Sequence, residues 1–352
     1  MIKLIIIITV IILIFAFVYF EFYYLIRPSK LGKKIIEKHN FDYPVLVAHR
    51  GSSYSAPEST LPAVKKAVES GVDYIELDVQ RTKDGKLVIF HDTNLLRLTN
   101  VKSMFPDREN YDLQNFTLNE LRLLNYGAWF NVKYPERASD GYSHLTIMTL
   151  EQVLEFVDPI ETGIGLALEL KSPYLYDGIE KEIVDLLKEK EIYETETKAP
   201  RILFLSFSPA SLKRLADLRP DSPRILLTKR NFVSPRRWQG WLDITEEAAD
   251  GIGPKGHVSF PWYIGAAHKR GLFVFPYVIN RSWQLKIFSW FSADGYITDR
   301  AEMLAEFFNR VQEFGESVEE FSDNILEEEL ENTEENQEKA ESQNNSEEKN
   351  NN

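Results

Sequence analysis

Polar side chains suited to catalysis lie within an apolar stretch that begins VAHRG and ends VIFHD, residues 45–92. His49 and Arg50 stand at its start, Glu76 and Asp78 in its middle, and His91 near its end. Charged groups inside apolar segments are costly unless something compensates them. A divalent cation with an anionic substrate would do so, and we therefore expect the chemistry in this stretch.

Glu76 and Asp78 are two positions apart in the segment YIELDV, which is typical of a strand. Side chains alternate along a strand, so both carboxylates point to the same face and repel each other unless a cation lies between them. A third carboxylate, Glu169, precedes Lys171 by two positions in LELK. Oxygen ligands of this kind suit Mg²⁺ or Ca²⁺ better than zinc. The pattern predicts one divalent cation bound by the three carboxylates.

This set of residues suits displacement at a phosphodiester. A cation would bind a non-bridging oxygen of the phosphate and lower the pKa of the attacking hydroxyl. Arg50 and Lys171 would neutralise the charge that develops at phosphorus. His49 and His91 would act as general base and general acid, since histidine titrates near neutral pH.

The elements that must position these residues alternate between β-rich runs and amphipathic helices, as in α/β folds with a parallel sheet. Eight strands predict a closed (β/α)8 barrel, in which the candidate residues stand near the carboxyl ends of strands, where such barrels carry their sites. The predicted strands are residues 45–49, 74–79, 86–91, 164–170, 201–207, 224–228, 272–279 and 295–298. The turn QRTKDG leaves no room for a crossover helix between the second and third strands, so we expect a local irregularity there. The long segment at about 93–149 is predicted to be an insertion after the third strand, either a lid over the barrel mouth or a packing subdomain.

The two ends of the chain differ from its body. Residues 4–20 form an apolar run followed by aromatic residues, which predicts an N-terminal transmembrane helix rather than a cleaved signal peptide. The five basic residues that follow this run favour a cytoplasmic body by the positive-inside rule. Residues 316–352 contain 14 acidic residues and two lysines within a chain of net charge −13, so the body is nearly neutral and no nucleic-acid partner is expected.

These features divide the chain into four predicted regions. Residues 1–27 are the membrane anchor and its flank, and residues 28–43 a linker. Residues 44–314 are the barrel, and residues 315–352 an acidic tail that lacks the apolar content needed to fold. The absence of cysteine is compatible with either side of a membrane.

The motifs HRG, APEST, ELD, TKDGKLVIFHD, LELK and ADGYITDR occur in an order that resembles the glycerophosphodiester phosphodiesterase family. The resemblance implies a TIM-type barrel that hydrolyses glycerophosphodiesters to glycerol 3-phosphate and an alcohol with a divalent cation. It also implies that the substrate's own glycerol hydroxyl attacks phosphorus before water completes the reaction. The implied roles are catalysis by His49 and His91, metal binding by Glu76, Asp78 and Glu169, and substrate contacts by Arg50, Lys171 and Glu58.

Two positions depart from the pattern of the family. Ser59 in APEST stands where the family commonly has asparagine, and YVIN at residues 277–280 lacks a tryptophan–threonine pair that commonly precedes the asparagine. Two other functions are compatible with the sequence. One is a lysophospholipase D that acts on membrane lysophospholipids, and the other is an inactive barrel that binds phosphorylated ligands.

Overall fold

A computed structural model describes residues 8–19, 28–157, 163–190, 199–229 and 234–310. Within these ranges nine strands form one sheet, and eight of them follow one another in parallel in the order β8-β7-β6-β5-β4-β2-β1-β9. The strands are β1 Val45–His49, β2 Tyr74–Arg81, β3 Leu87–Ile89, β4 Gly165–Leu170, β5 Ile202–Ser206, β6 Arg224–Leu227, β7 Gly251–Gly253, β8 Phe273–Val274 and β9 Gly295–Thr298. Backbone hydrogen bonds from Asp294 N to Val274 O (3.0 Å) and from Ile297 N to Pro276 O (3.2 Å) link the two ends of this order. The parallel strands therefore form a nearly closed barrel of the TIM type.

Helices connect successive barrel strands and surround the sheet. They are Gly32–Lys38, Leu61–Ser70, Val101–Met104, Leu118–Arg122, Ala128–Lys133, Leu150–Val157, Ile179–Glu189, Pro209–Leu218, Pro235–Ala248, Pro261–Lys269, Ser282–Trp290 and Ala301–Phe307, and residues 8–19 are also helical. Short 3₁₀ helices occur at Leu95–Arg97, Leu113–Asn115, Pro135–Arg137, Asp140–His144, Pro173–Leu175 and Gly256–Val258. The helix Leu61–Ser70 ends at Gly71 in the left-handed region (φ 81°), a conformation that glycine adopts without steric cost.

Two details of the predicted barrel are corrected by the structure. β3 pairs antiparallel with β2 and lies outside the ring of parallel strands, so the run KLVIFH is one arm of a hairpin. β7 was not among the predicted strands, and it completes the set of eight in the ring in place of β3. Its Gly-Ile-Gly sequence has little of the β-branched and aromatic content that marks strands. A Cβ at Gly251 would lie 2.2 Å from the Phe273 ring, and one at Gly253 would lie 2.5 Å from Leu227. Close packing inside the barrel therefore explains the glycines.

Alternation along the strands sorts side chains into two apolar clusters. In β1, Val45 and Val47 point into the barrel, whereas Leu46 and Ala48 pack against the surrounding helices. The same parity places His49 at the carboxyl end of the interior face. The helix Gly32–Lys38, within the predicted linker, adds Ile35 and Ile36 to the interior cluster.

The segment between β3 and β4 has an apolar cluster of its own. Its buried members include Leu95, Leu113, Phe116 and Leu121, and Phe90, which follows β3, packs with them. Arg137 from this segment stacks on the ring of Tyr54 at 3.9 Å, next to the β1 loop. The segment is thus a packed subdomain that contacts the carboxyl end of the barrel.

Several predictions about the ends of the chain lie wholly or partly outside the described residues. The predicted anchor, residues 4–20, is described only at 8–19, and the acidic tail from residue 315 is not described. Among the helices that are described, none is both long enough and apolar enough to cross a bilayer.

Candidate active site

Three buried carboxylates meet at the carboxyl ends of β2 and β4. Glu76, Asp78 and Glu169 are exposed by 1%, 0% and 5%, and one ligand oxygen from each lies within 4.8 Å of the other two. Strand register brings the carboxylates together, because Asp78 lies directly opposite Glu169 in the parallel β2–β4 pair. Glu76 Oε1 and both oxygens of Asp78 are buried without a hydrogen-bond partner. Buried carboxylate oxygens that accept no hydrogen bond fit a hard divalent cation such as Mg²⁺ or Ca²⁺.

The protonation state of each of these carboxyls depends on the charges of its neighbours. Burial, reinforced by the charges of Asp78 and Glu169, raises the pKa of Glu76 well above its usual range. Burial acts in the same direction on Asp78, but Lys171 and Arg50 outweigh it and lower the pKa of that carboxyl. Three carboxylates at this spacing therefore need added positive charge before all can ionise.

Arg50 and Lys171 provide part of that charge. Lys171 Nζ lies 3.0 Å from Glu169 Oε1 and 3.3 Å from Asp78 Oδ1, and Arg50 Nε lies 3.4 Å from Asp78 Oδ2. Arg50 has φ 58°, in the left-handed region, and its backbone N–H donates to Glu76 Oε2 at 2.9 Å. The next residue must be glycine, because a Cβ at Gly51 would lie 2.6 Å from the backbone of Ala63. The HRG turn thus directs both a guanidinium and an N–H towards the carboxylates.

His49 is fixed by a carboxylate from the far end of the sequence. Its Nδ1 lies 2.6 Å from Oδ1 of Asp299, which follows β9, the neighbour of β1. Asn280 Nδ2 donates to Asp299 Oδ2 at 2.5 Å. Burial alone would raise the pKa of Asp299, but the hydrogen bonds from His49 and Asn280 and the charge of Arg50 hold it at about 2. An ionised Asp299 only accepts hydrogen bonds, so His49 carries its proton on Nδ1.

The protonation of His49 suits acid–base chemistry. Burial and the adjacent Arg50 lower its pKa in spite of Asp299, so the ring is neutral near pH 7. Within the described part of the chain, Nε2 of His49 has no hydrogen-bond partner. That nitrogen is free to accept a proton.

His91 is held in a similar way by its neighbour in the sequence. Its Nδ1 lies 2.5 Å from Asp92 Oδ1, and Arg97 Nε donates to Asp92 Oδ2 at 2.5 Å. Arg97 Nη2 also donates to Glu58 Oε1 at 2.8 Å, and Arg50 Nη1 donates to the same oxygen at 2.7 Å. Glu58 therefore joins the two histidine-bearing loops through arginines.

A buried glutamine positions the segment that carries His91. Gln80 stands on the same face of β2 as Glu76 and Asp78, and its Nε2 donates to Phe90 O at 2.6 Å and Asp92 O at 2.8 Å. The Tyr176 hydroxyl donates to Gln80 Oε1 at 2.9 Å, which fixes the orientation of the amide. The backbone on both sides of His91 is thus fastened to β2.

The structure brings all eight predicted site residues together around the three carboxylates. Sequence reasoning missed the residues that hold them in place, namely Gln80, Asp92, Arg97, Asn280 and Asp299. Asp92 and Asp299 could have been inferred, because they lie in the motifs VIFHD and ADGYITDR. Their pairing with histidines becomes visible only in three dimensions.

Comparisons with known proteins agree with this geometry. The profile of the glycerophosphoryl diester phosphodiesterase family matches residues 49–303. A glycerophosphodiester phosphodiesterase of Bacillus subtilis is 32% identical over 239 residues, which cover 68% of this chain and 78% of that protein. One from Caldanaerobacter subterraneus is 31% identical over 261 residues, covering 74% of this chain and 96% of that protein.

Solved structures show the same fold. An Oleispira antarctica phosphodiesterase, in complex with the product sn-glycerol-3-phosphate, has a TM-score of 0.60 at 27% identity and covers 76% of this chain and 97% of its own. A glycerophosphodiester phosphodiesterase of Agrobacterium tumefaciens has a TM-score of 0.56 at 24% identity and covers 74% of this chain and 99% of its own. The chain belongs to the glycerophosphoryl diester phosphodiesterase family of enzymes.

Proposed function

We propose that this chain hydrolyses glycerophosphodiesters to glycerol 3-phosphate and an alcohol, with one divalent cation and two histidines. The observation that carries the proposal is the placement of two carboxylate-bound imidazoles, His49 and His91, beside the buried group of three carboxylates. The Oleispira antarctica phosphodiesterase supports the substrate class, because its structure contains sn-glycerol-3-phosphate as product.

The carboxylates of Glu76, Asp78 and Glu169 would hold the cation, Mg²⁺ or Ca²⁺. When bound, the cation would polarise a phosphate oxygen and favour ionisation of the attacking hydroxyl. Arg50 and Lys171, already within 3.4 Å of these carboxylates, would stabilise the negative charge that builds on the phosphate.

The histidines would move the protons in two steps. In the first step, a hydroxyl oxygen of the glycerol part forms a bond to phosphorus and passes its proton to one imidazole. The bond from phosphorus to the alcohol oxygen breaks, and the other imidazole protonates that oxygen. In the second step, the two roles are exchanged: water attacks phosphorus, the newly formed ester bond breaks, and glycerol 3-phosphate is released. Asp299 and Asp92 keep each ring in the tautomer that leaves Nε2 available.

The test is hydrolysis of glycerophosphoglycerol by the purified protein in the presence of Mg²⁺ or Ca²⁺. We expect glycerol 3-phosphate and glycerol as products, with activity lost in EDTA. A protein that stays inert on several glycerophosphodiesters with either cation would overturn the proposal and favour the ligand-binding barrel.

A second substrate class, lysophospholipids, would use the same catalytic groups. It is favoured by the apolar run at residues 4–20, because a membrane anchor would hold the barrel close to lipid. The comparison of glycerophosphoglycerol with lysophosphatidylglycerol separates the two classes, because the two substrates share a head group. Hydrolysis of the lysophospholipid alone would make the chain a lysophospholipase D.

The localisation proposed for the chain is at a membrane, anchored by residues 4–20. The apolar sequence supports this, as do the exposed apolar side chains of the described part, including Ile12, Leu13 and Phe15. We expect the protein to stay in the membrane fraction after an alkaline carbonate wash and a variant lacking residues 1–27 to be released. Protease accessibility in intact cells would then show on which side the barrel lies, and the flanking basic residues favour the cytoplasmic side.

A further inference from the structure

A cavity of about 480 Å³ opens beside the catalytic carboxylates, at the carboxyl ends of β4, β5 and β6. Side chains that define it are Lys171, Tyr174, Phe207, Leu227, Lys229 and Trp241. The cavity is continuous with the site, because Lys171 belongs to both. It is also larger than a glycerol moiety needs, so the variable part of a substrate fits there better than the constant part.

Two ammonium groups lie near the ring of Phe207. Lys171 Nζ is 5.9 Å from the ring centroid and Lys229 Nζ is 4.6 Å from it. Lys171 forms ion pairs with Glu169 and Asp78. Lys229 is exposed and has no carboxylate partner in the described part of the chain, so its charge acts on whatever enters the cavity.

The opposite side of the site is occupied by a different kind of surface. There, Arg50 and Arg97 bind Glu58, and Arg97 also binds Asp92. Each charge in that network has a partner at hydrogen-bond distance, and the network leaves a fixed polar surface. A diester has two substituents on phosphorus, so a substrate can place one on this fixed surface and the other in the cavity.

We propose that the cavity binds the alcohol part of the diester and that Lys229 selects against alcohols that carry a positive charge. The inference rests on the proposed function and adds the substrate class. Neutral or anionic alcohols would be preferred over cationic alcohols such as choline.

A cationic group in the cavity would meet the charge of Lys229 beside aromatic rings. Quaternary ammonium groups bind to the faces of aromatic rings, often with a carboxylate nearby. The face of Phe207 is already covered by Lys229, and the described lining of the cavity contains no aspartate or glutamate. The rings of Tyr174 and Trp241 also line the cavity, but they carry no net charge to offset that of Lys229. A second cation would therefore experience net repulsion from Lys229, whereas an anionic group would pair with it.

The test compares kcat/KM for three diesters of glycerol 3-phosphate whose alcohols are choline, glycerol and glycolate, which are cationic, neutral and anionic. We expect wild-type protein to prefer glycolate and glycerol over choline. Exposed charges contribute modestly, so removal of the charge in Lys229→Met should reduce the preference for glycolate over choline by about five-fold. Charge reversal in Lys229→Glu should change it by roughly ten-fold or more, and Lys229→Arg should keep it.

Lys286→Glu is the matched control, since Lys286 is an exposed lysine that does not line the cavity and the change in net charge is the same. It should leave the ratio unchanged. A wild-type preference for choline, or a ratio that Lys229→Glu and Lys286→Glu change equally, would overturn the inference while leaving the proposed function intact. If none of the three diesters is hydrolysed, the proposed function fails and the inference fails with it.

Discussion

The two sides of the barrel mouth share one fold but fix their polar groups differently. On the catalytic side, formed by β1, β2, β4 and β9, the charged side chains apart from Arg97 are buried or half-buried, and they are bound to charged partners, as His49 is to Asp299. On the cavity side, at the ends of β5 and β6, the charge that faces the opening is Lys229, which has an aromatic neighbour and no acidic partner in the described part of the chain. Chemistry requires groups held to fractions of an ångström, whereas selection of a substrate needs only shape and charge.

If this contrast is right, substitutions on the two sides should change different kinetic parameters. Loss of a residue on the catalytic side removes stabilisation of the transition state and lowers kcat. Loss of a residue on the cavity side removes binding that substrate and transition state share, and it raises KM.

The largest effect is expected for the histidines. His49→Ala and His91→Ala should each lower kcat on glycerophosphoglycerol by roughly 10²- to 10⁴-fold, because each removes a proton-transfer group. A diester with p-nitrophenol as leaving group needs no general acid, so one of the two variants should recover most of its activity on that substrate and thereby identify the acid of the first step. His257→Ala, at an exposed position in the 3₁₀ helix Gly256–Val258, is the control. Near wild-type rates in both histidine variants would contradict the assignment.

The next effect concerns the carboxylate that orients His49. Asp299→Asn should lower kcat by about 10²-fold, because an amide no longer fixes the Nδ1–H tautomer. The matched control is Asp73→Asn, which removes the ion pair with Arg310 at 2.6 Å at the amino-terminal end of the barrel. Equal losses of activity in the two variants would show that Asp299 acts through stability alone.

On the cavity side, Trp241→Leu should raise KM by about three- to ten-fold, because it removes apolar contact area. Its kcat should stay within about two-fold of the wild-type value, since Trp241 touches none of the catalytic side chains described above. A thermal melt shows whether the variant remains folded. A fall in kcat with unchanged KM would contradict the prediction that residues of the cavity side affect binding alone.

The smallest effect is a stability change at Ser59. This residue has φ 59°, in the left-handed region, and its buried Oγ has no partner. Asparagine tolerates this region best among residues other than glycine, so Ser59→Asn should raise the free energy of unfolding by a few tenths to about 1 kcal/mol. Ser59→Ala keeps the backbone strain and should bring no such gain. Urea denaturation of both variants measures the difference.

The catalytic side was predictable from the sequence because its residues obey strand alternation. The spacing of Glu76 and Asp78, and of Glu169 and Lys171, placed each pair on one face, and the barrel then brought the pairs together. The link between His49 and Asp299 was not predictable in this way, because it spans 250 positions and depends on closure of the barrel.

The cavity side was harder to predict. β7, which pairs with β6 next to the cavity, is a Gly-Ile-Gly segment. Its glycines are required by close contact with Phe273 and Leu227, and such contacts leave no periodic pattern in the sequence. The hairpin of β2 and β3 was also predicted only in part. The short turn indicated an irregularity, but not the position of β3 outside the ring. Local patterns predict elements, and packing decides which elements join the barrel.

We expect Glu76, Asp78 and Glu169 to form a cation site that the two histidines need for hydrolysis. The most direct measurement is turnover of glycerophosphoglycerol by protein stripped with EDTA, before and after addition of Mg²⁺ or Ca²⁺, in wild type and in Glu169→Gln. We expect the cation to restore wild-type activity by at least about 10³-fold and to restore little in the variant, while both proteins stay folded. Full activity of the stripped wild type, or equal recovery in Glu169→Gln, would contradict it.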